Sequence, residues 1–461
     1  YGQAIFYDQI IITRGGTVIV SLHFNIQMMN LLLSTIISIL TFGAVADNGK
    51  TNNAQAINKA IEAAAEKGGG KVVVPAGTFV TGTIYLKSNV MLVLEQGAVL
   101  KGSPRLEDYQ SLKTTLDLSK YESGEGTVNY NSATDPEWSR SLIFAIGVHN
   151  AGICGEGTID GDNVRNPKGE EHMRGPHTVL LAGCKDMSFC DFTVNHSANY
   201  AFLAYKIENT RYERIKINGG WDGIHVRGAK RLHISNCNIH SGDDALAGGY
   251  WEKAQITNCT LNSSCNGIRM IMPSTNVHVS HCRFEGPGVY PHITSGRRAT
   301  EAAINIQPGG WGKAPGRLDG IYIKHCIINN VLTPISVTLS EDNTAGTIVI
   351  DDVKATNVNH MALSVKSWGS APTDLVCMRN VHMEFVGKDD PALPSWFDGK
   401  DFSEWPVFPC WGMYFRNIGQ VKLKNVTLQL KGKDYRKPII YDNVHKKPST
   451  SACNIITKTA K

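Results

Sequence analysis

The chain has few of the features that mark nucleic-acid-binding, metal-binding or membrane proteins. Charged residues make up only 19% of its 461 residues, the net charge is +5, and Lys and Arg never form a run of five or more. We therefore predict no nucleic-acid partner. The eleven cysteines include no Cys-x-x-Cys pair, so neither a disulfide framework nor a metal site has a signature. We predict no metal, no cofactor and no membrane span, since the most apolar run, 31–40, is too short to cross a bilayer.

What the chain does have is a repeat of 22 or 23 residues. Large apolar residues and cysteines recur at this interval, with one double step before the last cysteine: Ile217, Ile239, Leu261 and Phe284; Cys237, Cys259, Cys282 and Cys326. A repeat this short cannot bury its own apolar face, so it must stack on its neighbours as one coil of a solenoid. We predict a single elongated all-β domain over 42–461, with the stacked cysteines forming an inert buried ladder.

The segment 1–41 stands apart from this repeat. Residues 1–28 are rich in β-branched and aromatic residues around a pair of glycines, which indicates a short hairpin. Two interpretations remain open for the run 29–46. It resembles a secretory signal, although no Lys or Arg lies just before it, and it equally fits a buried first strand leading to Phe42.

A helix is predicted to cover the first coil. Apolar residues follow one another at helical spacing after Asn52 and Asn53, either of which can cap the helix, and the glycines 68–70 end it: Ala56, Ile57, Ala60, Ile61 and Ala64. Because an open solenoid end exposes apolar surface and unpaired strand edges, a helix here is expected to shield them.

Three stretches break the period and are interpreted as loops. Residues 104–142 are polar and are predicted to form an excursion beside the first coils, and 286–301 accounts for the double step in the cysteine ladder. Long loops on one side of a solenoid usually shape a groove. The insertion 391–409 carries four aromatic residues and is predicted to form a lid over the far coils.

Three carboxylates are the candidate catalytic residues. Asp222 and Asp243 lie 21 residues apart, close to one period, and Asp244 follows directly. Residues one period apart lie about 4.8 Å apart across the ladder, so these side chains should cluster on one face. Alternation along the strands sends Ile224 inward and His225 outward. It leaves Asp222 outward only if the chain bends at Gly223.

The same alternation extends the outward set over the following coils. It predicts that three further side chains face outward beside the carboxylates: Arg269, Asn305 and Gln307. Closely spaced carboxylates cannot all ionise without cost, so at least one should have a raised pKa. A protonated acid beside ionised partners suits glycosidic cleavage. Structural roles stay open, because paired Asp residues also occur in turns, bind calcium or cap strands.

These residues and several other segments resemble glycoside hydrolase family 28, the polygalacturonase-like enzymes. The likeness covers most of the chain and includes Asp243-Asp244 and the aspartate of Gly-Trp-Asp at 220–222. It also includes FGAVAD at 42–47, GGGKVVVPAGT at 68–78, LKSNV at 86–90, GAVL at 97–100 and GEGTIDG at 155–161. The resemblance implies a right-handed parallel β-helix that cleaves a pectin-like plant polysaccharide. It implies Asp243 as the general acid, with Asp222 and Asp244 activating water, and inversion at the anomeric carbon.

Two family motifs are altered in this chain. Cys265-Asn266-Gly267 stands where the family has Gly-His-Gly, and Asn305-Ile306-Gln307 where it has Arg-Ile-Lys. The candidates to replace the lost cations are Arg269, His225 and the loop residues Arg297 and Arg298. If none of them replaces these cations, the resemblance leaves a neutral sugar as the substrate. Asn266, Asn305, Gln307 and Arg298 are counted with His225 and Arg269 as substrate-binding residues.

The resemblance also implies an exported protein, secreted or periplasmic, with a polysaccharide or oligosaccharide as its partner. The alternatives are a lyase of the same fold, which needs a Lys or Arg base and usually calcium, and a non-catalytic glycan-binding helix. The sequence does not indicate the oligomeric state, the sugar or its linkage. It also does not indicate whether the enzyme cleaves inside a polysaccharide chain or at its end.

Overall fold

The computed structural model describes residues 11–14, 17–20, 35–47, 49–122, 131–359, 361–369, 371–392 and 408–458. Most of the predicted lid 391–409 lies outside them, as do residues 29–34 of the signal-like run 29–46. Within the described ranges the helix α1 spans Ala54–Glu66, and four short 3-10 helices span Ile39–Phe42, Leu106–Asp108, Ser119–Tyr121 and Glu170–His172.

In chain order the strands are β1 Ile11–Arg14, β2 Thr17–Val20, β3 Thr35–Ser38, β4 Gly70–Val74, β5 Gly77–Thr81, β6 Ile84–Tyr85, β7 Val90–Leu94, β8 Ala98–Gly102, β9 Gln110–Ser111, β10 Arg140–Ile146, β11 His149–Cys154, β12 Thr158–Asp160, β13 His177–Ala182, β14 Lys185–Cys190, β15 Thr193–Asn195, β16 Phe202–Glu213, β17 Lys216–Asn218, β18 Ile224–Ser235, β19 Asn238–Ser241, β20 Leu246–Thr257, β21 Thr260–Ser263, β22 Asn266–Met270, β23 Thr275–Ser280, β24 Arg283–Glu285, β25 Ala302–Ile306, β26 Gly316–Asn329, β27 Thr333–Leu339, β28 Asn343–Val358, β29 Leu363–Ser367, β30 Thr373–Val386, β31 Cys410–Lys431, β32 Lys437–Val444, β33 Ser449–Ser451 and β34 Asn454–Lys458.

The first two strands form the predicted antiparallel hairpin, with Ile11 paired to Val20. A strand is confirmed in the described part of the next segment, because β3 pairs in parallel with β4 and so belongs to the first coil, but only Ile37 of its four residues is buried. The helix α1 buries most of its predicted stripe against this coil; Ala56 alone stays half-exposed. Of the two predicted caps, Asn52 accepts a bond from the Ala54 amide, whereas Asn53 bonds elsewhere.

The coils stack into a right-handed parallel β-helix, as predicted, with three parallel sheets. One sheet, called the site sheet below, contains β6, β10, β13, β22, β25, β27, β29 and β32 and the leading parts of β16, β18, β20 and β31. Each coil sends at least one apolar side chain inward from each sheet; Val226, Ile234 and Ile239 do so in a single coil. Each such residue contributes about 1.5–3 kcal/mol when fully buried, so the stacked columns form one continuous core.

The cysteine ladder lies within this core. Cys237, Cys259, Cys282 and Cys326 are buried, and all eleven cysteines are free thiols. Burial and the neighbouring Cys282 raise the pKa of Cys326 to about 12, so this thiol stays protonated, as expected of an inert packing residue. No helix in the described part of the chain is long and apolar enough to cross a membrane.

The excursion 104–142 folds back over the outer face of the site sheet. It brings Leu112, Leu118 and Trp138 against Leu180 and Leu203 in a second apolar cluster, separate from the coil interior. The excursion therefore covers the coils that precede the candidate carboxylates. From the predicted lid, Phe408 is buried against Tyr414.

Candidate active site

The register of the coils places Asp222 directly beside Asp244. Ile224 pairs with Leu246, so positions 22 apart are neighbours, and Asp243 is offset by one residue. The Asp244 amide donates to Asp222 Oδ1 at 3.1 Å, and the amide and side-chain Nδ2 of Asn266 donate to Asp244 Oδ1 at 3.0 and 2.8 Å. Asp222, Asp244 and Asn266 thus form a ladder across three coils.

Gly223 allows the close packing that this ladder requires. A Cβ atom at this position would lie 2.4 Å from the Ala245 carbonyl oxygen and 2.7 Å from Ile239 Cγ2. The chain is irregular up to Gly223, and β18 begins only at Ile224. Because of this irregularity, the Asp222 side chain does not point inward, as strict alternation would require. It lines the pocket, as predicted from a bend at Gly223.

Asp243 is surrounded by cationic or potentially cationic groups. Arg174 Nη2 lies 3.1 Å from Asp243 Oδ2, and His292 Nε2 lies 3.7 Å from the same oxygen. Hydroxyl groups of Ser241 and Ser263 both donate to the Asp243 main-chain carbonyl. Side chain and backbone of Asp243 are therefore both fixed, which favours one orientation of its carboxyl group.

Arg174 is itself held by aromatic and acidic neighbours. Its guanidinium lies 3.8 Å from the centre of the Trp221 ring and forms ion pairs with Glu170 and Glu171. Its side chain is only 5% exposed. Such a desolvated guanidinium remains charged and fixed in direction, so it presents a permanent positive charge to Asp243.

Arg269 plays a similar part at Asp244. Its Nη1 lies 3.4 Å from Asp244 Oδ2, and its guanidinium lies 4.7 Å from the centre of the Trp311 ring. The Nε atom of Arg269 is buried and has no hydrogen-bond partner in the described residues. A buried, unsatisfied donor is costly, so this group is suited to meet an acceptor on a bound molecule.

His225 is a buried, oriented histidine between an acid and a cation. Its Nδ1 lies 2.7 Å from Asp222 Oδ2, its Nε2 accepts from Arg227 Nε at 3.0 Å, and its ring stacks on Tyr200 at 4.8 Å. Because Nε2 accepts, the proton resides on Nδ1 and the ring is neutral. Burial and the charge of Arg227 lower the pKa of His225 well below its usual value.

The three carboxyls differ in their affinity for a proton. Burial and the charges of the other two aspartates raise the pKa of Asp222 well above its usual range, and burial also raises the pKa of Asp244. Burial alone would raise the pKa of Asp243 as well, but His292, Arg174 and Arg269 together lower it. A raised pKa within the cluster is the predicted behaviour. The raised pKa belongs to Asp222 and Asp244, however, and not to the expected acid, Asp243.

The structure brings five of the nine predicted site residues into one pocket of about 420 Å³. These are Asp222, His225, Asp243, Asp244 and Arg269. Asn266 lies behind Asp244 as its hydrogen-bond donor, and Asn305 stands beside Arg269 in register and bonds to Gln307.

The two loop arginines lie outside this pocket. Arg298 donates to the carbonyls of Gly288 and Val289 and so braces its own loop. Arg297 is engaged similarly, by the Ser264 carbonyl and Glu301. In this arrangement neither arginine replaces the cations missing from the altered motifs.

Sequence reasoning missed several residues that shape the site. The unpredicted members of the pocket wall include Glu170, Arg174, Tyr200, Arg227 and Trp311. His292 was also missed, although its loop 286–301 was expected to shape a groove. Only His292 could have been found from the sequence, because it is a titratable residue within that loop. The sequence around Arg174 has no motif or periodicity that would mark Arg174 as a site residue.

A metal ion is a poor fit to these residues. In the described part of the chain, only Asp243, Asp244 and Cys265 bring three potential ligand atoms within 4.8 Å of one another. Arg174 and Arg269 already pair with these two carboxylates. Their charges would repel a divalent cation, which would also need more oxygen ligands than this group offers.

Comparisons with known proteins agree with this architecture. A family profile described as rhamnogalacturonase A/epimerase, pectate lyase-like matches residues 36–288. An exo-poly-alpha-D-galacturonosidase from Dickeya chrysanthemi is 25% identical over 365 residues, covering 68% of this chain but only 58% of that protein. An exopolygalacturonase from Oenothera organensis is 24% identical over 373 residues, covering 72% of this chain and 89% of the relative. The solved exopolygalacturonase from Thermotoga maritima superposes with a TM-score of 0.55 at 17% identity over 92% of each chain, which shows a shared fold.

Proposed function

Because the chain belongs to the rhamnogalacturonase A/epimerase, pectate lyase-like family, we propose that it hydrolyses glycosidic bonds in an acidic, pectin-like polysaccharide, as glycoside hydrolase family 28 does. The observation that carries this proposal is the pocket of three carboxyls with divided proton affinities. Asp222 and Asp244 have raised pKa values, and Asp243 has a lowered one. Groups of unequal pKa in one site are the usual basis of paired acid and base catalysis.

In the proposed mechanism Asp243 protonates the leaving oxygen, while Asp222 and Asp244 hold and activate the attacking water. The neighbouring cations lower the pKa of Asp243, so this role requires that substrate binding raise it. A substrate carboxylate that engages Arg174 and Arg269 would weaken their pull on Asp243 and raise its pKa. The anionic substrate would then help to generate the general acid.

Three arginines of the pocket, Arg174, Arg227 and Arg269, favour a uronate over a neutral sugar. Four acids, Glu170 and the three aspartates, line the same pocket. The three arginines lie close to the reacting carboxyls, unlike the loop arginines that the sequence offered as replacements. Arginine binds carboxylates through paired N–H groups, so these residues would compensate for the altered Arg-Ile-Lys motif.

The names of the relatives support the same substrate class, since both curated relatives above are named for galacturonan cleavage. A polysaccharide of this kind is too large to enter a cell intact. We therefore propose an exported protein, secreted or periplasmic, whose partner is the polysaccharide or its fragments. The β-helix would act as a single domain that begins before residue 42, since β3 pairs with β4 in the first coil.

The experiment is a comparison of wild type, Asp243→Asn and the control Asp352→Asn on a panel of pectic and neutral polysaccharides. Asp352 lies on the surface and pairs with His325. The readouts are new reducing ends and the ultraviolet absorbance of unsaturated sugars. We expect reducing ends without unsaturation from wild type and the control, and none from Asp243→Asn.

Two outcomes would contradict the proposal. Unsaturated products that require calcium would indicate a lyase. Binding without product release, unchanged in Asp243→Asn, would indicate a non-catalytic glycan-binding protein.

A further inference from the structure

The outward face of the site sheet changes character at the carboxylates. One column of outward side chains runs through Phe144, Leu180 and Leu203 to His225, each paired in register with the next. Up to Leu203 the column is apolar. Beyond His225 the same column continues through Ala247 to Arg269, and then to further polar residues. A sugar chain could therefore find polar partners only from His225 onward.

The apolar part of this column is closed to substrate. The excursion 104–142 packs Leu118 and Trp138 onto Leu180 and Leu203, and all four side chains are at most 4% exposed. Trp138 also contacts the rings of His177 and Tyr200, which stand directly behind His225. In the described residues, the groove ends about one coil before the carboxylates, a distance of about 4.8 Å.

A second wall closes the side on which the site strands begin. The hydroxyl of Thr294 donates to a carboxylate oxygen of Glu171, which joins the loop 286–301 to the segment that carries Arg174. Behind this bridge, His292 packs edge-on against Trp221 with ring centres 5.4 Å apart. These contacts leave the pocket open towards the other ends of the site strands.

On that open side a smaller pocket of about 250 Å³ adjoins the first. Trp311 and Ile271 line both pockets, so the Trp311 ring forms their shared wall. The remaining wall includes Tyr250, one acid, Glu122, and two lysines, Lys120 and Lys313. The Lys120 ammonium lies 4.8 Å from the centre of the Tyr250 ring. Aromatic rings and cations side by side suit the faces and carboxylates of an acidic sugar.

We propose that the enzyme removes sugars from one end of an acidic polysaccharide, and that this second pocket binds the unit next to the one removed. The terminal sugar occupies the carboxylate pocket on the side closed by Leu118 and Trp138. The rest of the chain leaves over Tyr250 and Trp311, between Lys120 and Lys313. Cleavage inside a chain is excluded because, among the described residues, the two walls close the opposite side. This inference rests on the proposed hydrolysis.

The first test follows product sizes from oligogalacturonides, dimer to hexamer, labelled with a fluorophore at the reducing end. We expect each oligomer to shorten stepwise, with the released sugar as the only early small product. An immediate spread of intermediate lengths from the hexamer would overturn the proposal. If no oligomer or polysaccharide of the panel yields new reducing ends, the proposed hydrolysis itself has failed, which is a distinct result.

The second test measures the role of the adjoining pocket with Tyr250→Ala and Lys313→Ala. Tyr322→Ala and Lys324→Ala are matched controls, since these residues lie on another sheet and contact each other. We expect KM for the dimer and longer oligomers to rise about three- to tenfold in the pocket variants, as loss of one aromatic or ionic contact implies. The controls should match wild type. An unchanged KM in both pocket variants would remove the pocket from the substrate path.

Discussion

His292 Nε2 lies 3.7 Å from Asp243 Oδ2, although a long loop carries the histidine and a neighbouring coil carries the acid. The resemblance to glycoside hydrolase family 28 predicts that a histidine is lost at Cys265-Asn266-Gly267. The loop 286–301 thus returns a histidine to the site from another direction. Since this contact helps to keep the pKa of Asp243 low, it bears directly on the proposed acid.

Replacing His292 by alanine should change the pH dependence of the rate. Without the histidine the pKa of Asp243 rises, so the limb of the pH profile that reports this carboxyl should move to higher pH. We expect kcat near neutral pH to be maintained or to rise, since a higher pKa leaves more of Asp243 protonated for its role as general acid. His281→Ala is the control, because His281 stacks on His325 far from the site. A lower rate with an unmoved profile would mean that His292 only supports the loop.

Arg269 should determine the preference for charged sugars. Its contact with Asp244 and its unsatisfied Nε place it where a substrate carboxylate would bind. Arg269→Ala should raise KM for the acidic substrate about tenfold, the worth of one charge-assisted hydrogen bond. The methyl-esterified substrate should be affected much less. Arg283→Ala, which removes an exposed arginine paired with Glu285, serves as control. Equal losses on both substrates would assign Arg269 a role in fixing Asp244 instead.

Much of the fold could be predicted from the sequence, because stacked coils require apolar residues at a regular spacing along the chain. Ile217 pairs with Ile239, and Ile239 with Leu261, at the interval that the sequence displays. The carboxylate cluster followed from the same interval. Arg174 and His292 could not be found in this way, since irregular loops place them and no periodicity constrains a loop. The proton affinities also escaped prediction, because burial and those same loop cations set them.

Asp222 should cost the protein stability. Its folded-state pKa is raised by burial and by Asp243 and Asp244. The protonated form is therefore favoured in the fold. This stabilisation is fully present below the unfolded-state pKa of about 3.9 and is lost as pH rises through the raised folded-state value. Asp222→Asn should accordingly unfold later than wild type at neutral pH, by about 1 kcal/mol, as active-site substitutions often do.

The measurement is urea unfolding of Asp222→Asn and wild type at several pH values between mildly acidic and mildly alkaline. The advantage of the variant should grow with pH. Asp352→Asn, an exposed carboxyl, should show no such trend. A variant less stable than wild type at every pH would mean that the hydrogen bonds of Asp222 to His225 and Asp244 outweigh its desolvation.

The stereochemistry of cleavage should distinguish the proposed roles of the carboxylates. Proton NMR of the first product should show the inverted anomer, because Asp222 and Asp244 together would hold a water for direct attack. One carboxylate oxygen of Asp243 lies within 4.8 Å of one carboxylate oxygen of Asp244. This separation is close to the value of about 5–5.5 Å between the two catalytic carboxyls that is typical of retaining enzymes. Inversion would show that the water lies beside the Asp222–Asp244 ladder and not between Asp243 and Asp244. A retained anomer would instead make one of these two aspartates a nucleophile, and a glycosyl-enzyme ester should then be detectable by mass spectrometry of protein quenched during turnover.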